Sequence, residues 1–339
     1  MKYPKFLNEK DSIGLLATSC GSNVNPYRIR TQKGIQYFEK LGYQIKKGHR
    51  IYRNVNAVSA PASLRGKDFM SMYKNKNIHF LWSTGGGEIM MSMLPFVDFE
   101  KIKQLSPKYF MGFSDNTNLT FTLTTLCDIA TIYASSIGSF AYDTLPCDTV
   151  DTYLLMQGKK LSFQSYPFYY GPESQTHLKA PLTPLSYYDE NLWKSMDNQS
   201  FNLSGRMIGG CLDILISLCG TRYDQVRSFI EKYKEDGILW YFDVCDLNST
   251  ALYRALFQLK EAGWFQYAKG FLIGRPFNSI TPLNYSFYQA IIDSISELNV
   301  PILYDVDISH IRPSIPIING AYANIQFNEH KGNISFILK

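Results

Sequence analysis

The sequence predicts an α/β protein built on a mostly parallel N-terminal sheet with helices on both faces, followed by a second, smaller domain. Three observations carry this. Short apolar runs alternate with helical patterns through the first half, and that alternation requires crossover connections between parallel strands. Two of those runs end in turns rich in glycine or serine, as strands do at the ligand-binding edge of an open sheet. The length, 339 residues, exceeds one ordinary domain.

Taken in order, strand-like runs fall near 12–18, 43–47, 78–83, 108–113 and 129–134, with helical patterns near 27–41, 61–74, 88–96 and 116–127. From about 142 to 202 proline, serine and tyrosine are frequent and no period survives, which marks a linker with an irregular insertion. Helical patterns return near 211–219, 250–262 and 285–297 among short strands, as a smaller α/β or β-rich unit would show. The expected domains are therefore 1–145, 146–202 and 203–339. No internal repeat is visible.

The strand ends carry the chemistry. Tyr109-Phe-Met-Gly-Phe-Ser-Asp-Asn-Thr-Asn-Leu119 runs from a buried strand through Gly112 into a helix. A serine at so sharp a turn, Ser114, has its hydroxyl pushed out at the sheet edge, beside helix N–H groups that suit an oxyanion. Two residues later the usual elbow has glycine, and here stands Asn116. Alone, Ser114 also reads as an ordinary helix cap. Phe80-Leu-Trp-Ser-Thr-Gly-Gly-Gly-Glu88 likewise leads from a strand into glycines whose bare N–H groups allow close approach of a ligand. Ile238-Leu-Trp-Tyr-Phe-Asp-Val244 ends in a carboxylate, Asp243. Val306-Asp-Ile-Ser-His-Ile-Arg-Pro313 places His310 beyond another strand. Serine, acid and histidine thus occur in that order, each at a strand end, which is a workable nucleophile–acid–base set.

On these residues the chain resembles the serine peptidases that include the L,D-carboxypeptidases (muramoyltetrapeptide carboxypeptidases) and the microcin C immunity peptidases. Further matches are Ile13-Gly-Leu-Leu-Ala-Thr18, Leu94-Pro95, Asp98, Pro107-Lys108, Thr117, Gly205, Ile208-Gly-Gly210, Gly220-Thr221, Tyr253-Arg254, Gln258-Leu259, Ala262-Gly263 and Asn319-Gly-Ala321. The length and the extra segment from Tyr187 to Gln199 are closer to the immunity-peptidase branch. The resemblance favours a β-rich second domain and implies a homodimer. It implies Ser114 as nucleophile, His310 as base and Asp243 as the orienting acid. It implies an oxyanion hole from the N–H of Asp115 and that of Gly86 or Gly87. A carboxypeptidase also needs a cation for its substrate's carboxylate, and Arg206 and Arg254 are the candidates, with Arg254 also placed to pair with Asp246. Trp193, in the insertion, is the candidate to stack on a flat substrate group.

One departure stands out. The family has glutamate where the preferred register puts Asp243; a register one residue earlier would put Phe242 there and leave the histidine without its carboxylate. The shorter acid requires His310 to come closer or a water to bridge, and Asp243→Glu is expected to keep or raise activity. Cys211 stands where relatives often have asparagine. Both departures motivate the alternative of an impaired relative that binds cell-wall peptides without cutting them. An esterase or acyltransferase on the same triad is a third reading.

Composition agrees with an ordinary enzyme. Net charge is a modest +5 with scattered lysines, unlike the basic stripe of a nucleic-acid binder. No apolar run reaches the ~20 residues of a membrane span, and the first residues lack a signal-peptide pattern. The six cysteines, at 20, 127, 147, 211, 219 and 245, form no Cys-x-x-Cys pair and read as free thiols of a cytoplasmic protein. His49, His79, His177 and His330 have no metal-ligand spacing, so neither metal nor other cofactor is expected. The expected partner is a small peptide or peptide-conjugate substrate.

Overall fold

The computed structural model describes residues 1–171, 178–196 and 199–339. His177 and part of the Tyr187–Gln199 segment lie outside the described residues. The apolar runs of the first half form β1 (Ser12–Leu16), β2 (Gln44–Lys47), β3 (Phe80–Ser83), β4 (Tyr109–Gly112) and β5 (Thr131–Tyr133). All but β2 are buried along their length, and β2 is an exposed edge carrying Lys46 and Lys47, which discourages further pairing there. The strands pair in parallel in the order β5-β4-β3-β1-β2. Ile317–Asn319, from near the other end of the chain, adds an antiparallel strand beside β5. Their carboxyl ends therefore line up, and the turns after β3 and β4 emerge side by side.

The helices of this half are α1 (Tyr27–Lys40), α2 (Ala62–Lys74), α3 (Phe99–Gln104) and α4 (Thr117–Cys127). The helix expected near 88–96 is instead a 3-10 run, Met90–Phe96. Pro95 lies inside it, and a proline there cannot donate the i→i−4 bond that an α-helix requires. Helix α4 is buried on nearly every side although it contains five threonines. Thr122, Thr124 and Thr125 satisfy their hydroxyls on the carbonyls four residues back, at 2.5, 2.9 and 3.0 Å. Back-bonding of this kind satisfies most of the polar groups of a buried helix, although Asn118 Oδ1 and Thr120 Oγ1 are left without a hydrogen-bond partner among the described residues.

The remaining chain forms α5 (Cys147–Met156), β6 (Ser162–Gln164), β7 (Phe168–Tyr170), β8 (Tyr187–Glu190), β9 (Lys194–Ser195), β10 (Phe201–Cys211), α6 (Leu212–Leu218), α7 (Val226–Lys232), β11 (Ile238–Asp243), α8 (Ser249–Glu261), β12 (Ala268–Gly274), α9 (Phe287–Ile295), β13 (Ile302–Val306), β14 (the Ile317–Asn319 strand), β15 (Tyr322–Asn328) and β16 (Lys331–Ile337). A second, eight-stranded sheet runs β6-β16-β15-β10-β11-β12-β13-β9. Its centre, β10 to β13, is parallel, and its flanks are antiparallel. The segment without periodicity thus supplies both edges of this sheet, β6 and β9, and a separate β7–β8 hairpin. Helix α4 packs against both β5 and β10, so it joins the two sheets.

Candidate active site

Ser114 has φ = 61°. That left-handed conformation is unfavourable for a serine, and surrounding bonds must hold it. Its N–H donates to Tyr133 Oη at 3.1 Å. Asn116 braces the turn from the other side: Nδ2 donates to the carbonyls of Phe113 and Gly85, both at 2.9 Å, and Oδ1 accepts from Thr18 Oγ1 at 2.7 Å. Asn116 itself has ordinary helical angles, so this turn does not need a glycine there. It needs Gly112 instead, since a Cβ at that position would sit 2.5 Å from Asn116 Cβ.

The three residues expected at separate strand ends meet. Ser114 Oγ lies 2.9 Å from His310 Nε2, and His310 Nδ1 lies 2.9 Å from Asp243 Oδ1. Asp243, fully buried at the end of β11, also accepts the His310 backbone N–H at 3.2 Å and Tyr133 Oη at 2.7 Å. The shorter acid therefore reaches the histidine directly, without a bridging water. Burial lowers the His310 pKa, but the adjoining Asp243 carboxylate outweighs it and raises the pKa well above the ordinary histidine range.

Gly86 abuts Ser114: a Cβ there would stand 3.0 Å from Ser114 Cβ and 3.3 Å from its Oγ. Gly87 lies against the loop after β1, where a Cβ would meet Ser19 Oγ at 2.3 Å. Gly86 therefore sits where a bare backbone can face the serine, while Gly87 is packed on Ser19 and Cys20. The Asp115 side chain turns away from it. Its carboxylate accepts from Ser19 Oγ at 2.5 Å, the Met90 N–H at 2.9 Å and Asn118 Nδ2 at 2.8 Å, tying together the loops after β1, β3 and β4. Burial raises its pKa despite these donors.

The serine and histidine open onto a cleft of about 550 Å³. Burial pushes up the pKa of the Cys20 thiol on its wall and of Cys245 beside His310, which makes both poor nucleophiles. Among the described residues no group of three or more His, Cys, Asp or Glu side chains is placed to hold a metal, and no helix is long and apolar enough to cross a membrane.

Two family models match the chain: the LD-carboxypeptidase N-terminal domain over residues 13–134 and the LD-carboxypeptidase C-terminal domain over residues 204–325. The chain belongs to the LD-carboxypeptidase family. Among relatives, it is 24% identical to a provisionally named carboxypeptidase of Vibrio cholerae, covering 97% of this chain and 96% of that one. It is 23% identical to the microcin C7 self-immunity protein MccF of Escherichia coli, covering 96% and 93%. Solved structures agree on the fold. Wild-type MccF without ligand superposes with a TM-score of 0.84 at 20% identity over 100% of both chains. An MccF-like protein from Streptococcus pneumoniae in complex with AMP gives 0.78 at 20% identity, covering 96% and 98%.

Three expected binding residues lie elsewhere. Arg206 is buried and paired with Asp236, and its Nη1 donates to Gly320 O at 2.8 Å and Tyr3 Oη at 3.0 Å. It faces Ile238 across the sheet, whereas Cys211 faces Asp243. That puts it five residues, or about 16 Å, from the end of the strand that reaches the site. Arg254 is exposed on α8 and does not line the cleft, and among the described residues it makes no ion pair with Asp246. Trp193 is fully buried. Its Nε1 donates to Asp307 at 3.0 Å and its ring packs over Gly332, so it is part of the core and has no face for a substrate.

Tyr133, Asp148 and Arg312 were not expected at the site. Tyr133 bridges the Ser114 backbone and buried Asp243. Its signal was a polar-tipped ring at the buried end of β5, which local pattern does not separate from core packing. Tyr133→Phe is expected to lower kcat about 10- to 100-fold, because it strands the Ser114 N–H and one Asp243 oxygen, a loss of ~1–3 kcal/mol. Steady-state kinetics beside a thermal melt check it. A fall in stability with kcat unchanged would leave Tyr133 a packing residue.

Proposed function

We propose that this protein is a serine carboxypeptidase acting on small peptides or peptide conjugates, with the Ser114–His310–Asp243 chain of contacts as its catalytic set. The observation that carries the reading is the continuous line from Ser114 Oγ through His310 to buried Asp243, each contact at 2.9 Å. His310 Nε2 takes the hydroxyl proton as Ser114 attacks the substrate carbonyl, and later gives it to the leaving amine. Asp243 orients the ring and stabilises the imidazolium. The N–H groups of Asp115 and of Gly86 or Gly87 hold the oxyanion. Water then releases the acyl group from Ser114 by the same steps in reverse.

Two substrates fit this reading: a murein tetrapeptide losing its terminal D-residue, and a peptidyl-nucleotide of the microcin C type. The second draws on the MccF structures in complex with aspartyl sulfamoyl adenosine and glutamyl sulfamoyl guanosine. A cytoplasmic homodimer is part of the proposal, and six free thiols suit a reducing compartment. Mass spectrometry of the purified protein incubated with murein tetrapeptide and with aspartyl sulfamoyl adenosine tests it. The expected result is release of the terminal amino acid from one of them. Folded protein that binds either ligand and releases nothing would favour the impaired relative.

A further inference from the structure

Arg312 is the one arginine or lysine among the described residues that line the cleft. It follows His310 by two residues, so the two backbones are at most about 7 Å apart. Asp148 grips the guanidinium in a fork: Nε donates to Oδ2 at 2.9 Å and Nη2 to Oδ1 at 2.6 Å. Nη2 also reaches Thr149 Oγ1 at 2.7 Å, and the Ser314 N–H holds Asp148 Oδ2 at 3.1 Å. The guanidinium is thereby fixed on one edge. Nη1 has no partner among the described residues and is not among the buried polar atoms left unpaired. The side chain is 21% exposed.

Two more observations point to a polar ligand. Thr84 Oγ1 and Ser135 Oγ also belong to residues lining the cleft, and both are buried without a hydrogen-bond partner. Buried hydroxyls of that kind are normally satisfied, so the cleft wall has unused hydrogen-bonding capacity.

We propose that Arg312, held by Asp148, anchors a carboxylate on the leaving-group side of the scissile bond, that is, the free carboxylate of the substrate's last residue. The side follows from His310, which must face the leaving nitrogen to protonate it, with Arg312 next along the chain. The inference rests on the carboxypeptidase reading above. It replaces Arg206 and Arg254 with a residue that faces the cleft. Because the fork to Asp148 is already made, little side-chain entropy is lost on binding, and the remaining edge recognises an anion by charge-assisted hydrogen bonds.

The test uses a Ser114→Ala background, so that binding is read without turnover. Calorimetry compares a murein tetrapeptide with its C-terminal amide. The acid is expected to bind about 30-fold or more tighter than the amide, the strength of a charge-assisted pair. Arg312→Gln should bring that ratio to within about threefold while leaving binding of the amide, and of aspartyl sulfamoyl adenosine, nearly unchanged. If the glutamine variant does not fold, Arg312→Lys serves, since lysine keeps the charge but cannot fork between Asp148 and a ligand. A lower ratio is then expected, and an undiminished one overturns the anchor. Equal binding of acid and amide, or equal losses for all three ligands, also overturns it. Wild-type protein that discriminates acid from amide yet cuts neither would sink the hydrolase and leave the anchor standing. Protein that cuts both at the same rate would do the reverse.

Discussion

Replacing Ser114 with alanine is expected to abolish hydrolysis, lowering kcat by about 10⁶, the scale at which removal of a nucleophile acts in serine enzymes. The variant should remain folded and keep its affinity for substrate. Three features of the turn do not depend on the hydroxyl: the N–H bond to Tyr133 Oη, the Asn116 brackets and the Gly112 contact. Alanine is no more strained than serine at φ = 61°, so the melting temperature should move little. Chromatographic assay of product, beside a thermal melt, checks both halves. Turnover within tenfold of wild type would show that the nucleophile lies elsewhere.

Asp243→Asn carries the next largest effect, a fall in kcat of up to ~10⁴. The buried carboxylate accepts from three donors: the His310 ring, the His310 backbone and Tyr133 Oη. An amide presents one oxygen and one NH₂ in their place, so it must lose one of these bonds and favours the wrong imidazole tautomer. The pH dependence should shift as well. With Asp243 present, the raised pKa of His310 puts the rise of kcat/KM above the ordinary histidine range, because the base works only when neutral. With asparagine that rise should move to lower pH. Stability has a matching sign. A group whose folded pKa is raised contributes stability fully below its unfolded pKa and loses it as pH climbs through the folded value. The wild type should therefore lose stability through that window, and the variant much less. A rise in kcat/KM at the same pH in both proteins would remove Asp243 from its role.

The geometry also changes the expectation for Asp243→Glu. The family's residue was expected to keep activity here, but the aspartate already touches His310 at 2.9 Å in a site with no exposure. An added methylene would overpack it, at ~1–3 kcal/mol, and push the histidine from Ser114.

The strand ends were legible in the sequence because each is a local event. An apolar run stops and a glycine, serine or carboxylate follows within a residue or two, and parallel topology then brings the carboxyl ends of strands together. The glycine run 85–87, Ser114, Asp243 and His310 could be picked out on that basis, with their roles implied by the family resemblance, and Gly112 could be given its reason. The sequence alone also determined the alternation behind the first sheet. It could not assign the irregular segment to the edges of the second sheet, since β6 and β9 are too short to show a period and are strands only through their neighbours. Nor could it sort the cations and aromatic rings. Trp193 and Asp307 meet across 114 residues, and Arg312 and Asp148 across 164. Arg206 was misplaced because register, not composition, decides which end of β10 a residue occupies. Those assignments are tertiary because burial and charge pairing depend on distant partners, whereas a turn at the end of a strand is made by the residues next to it.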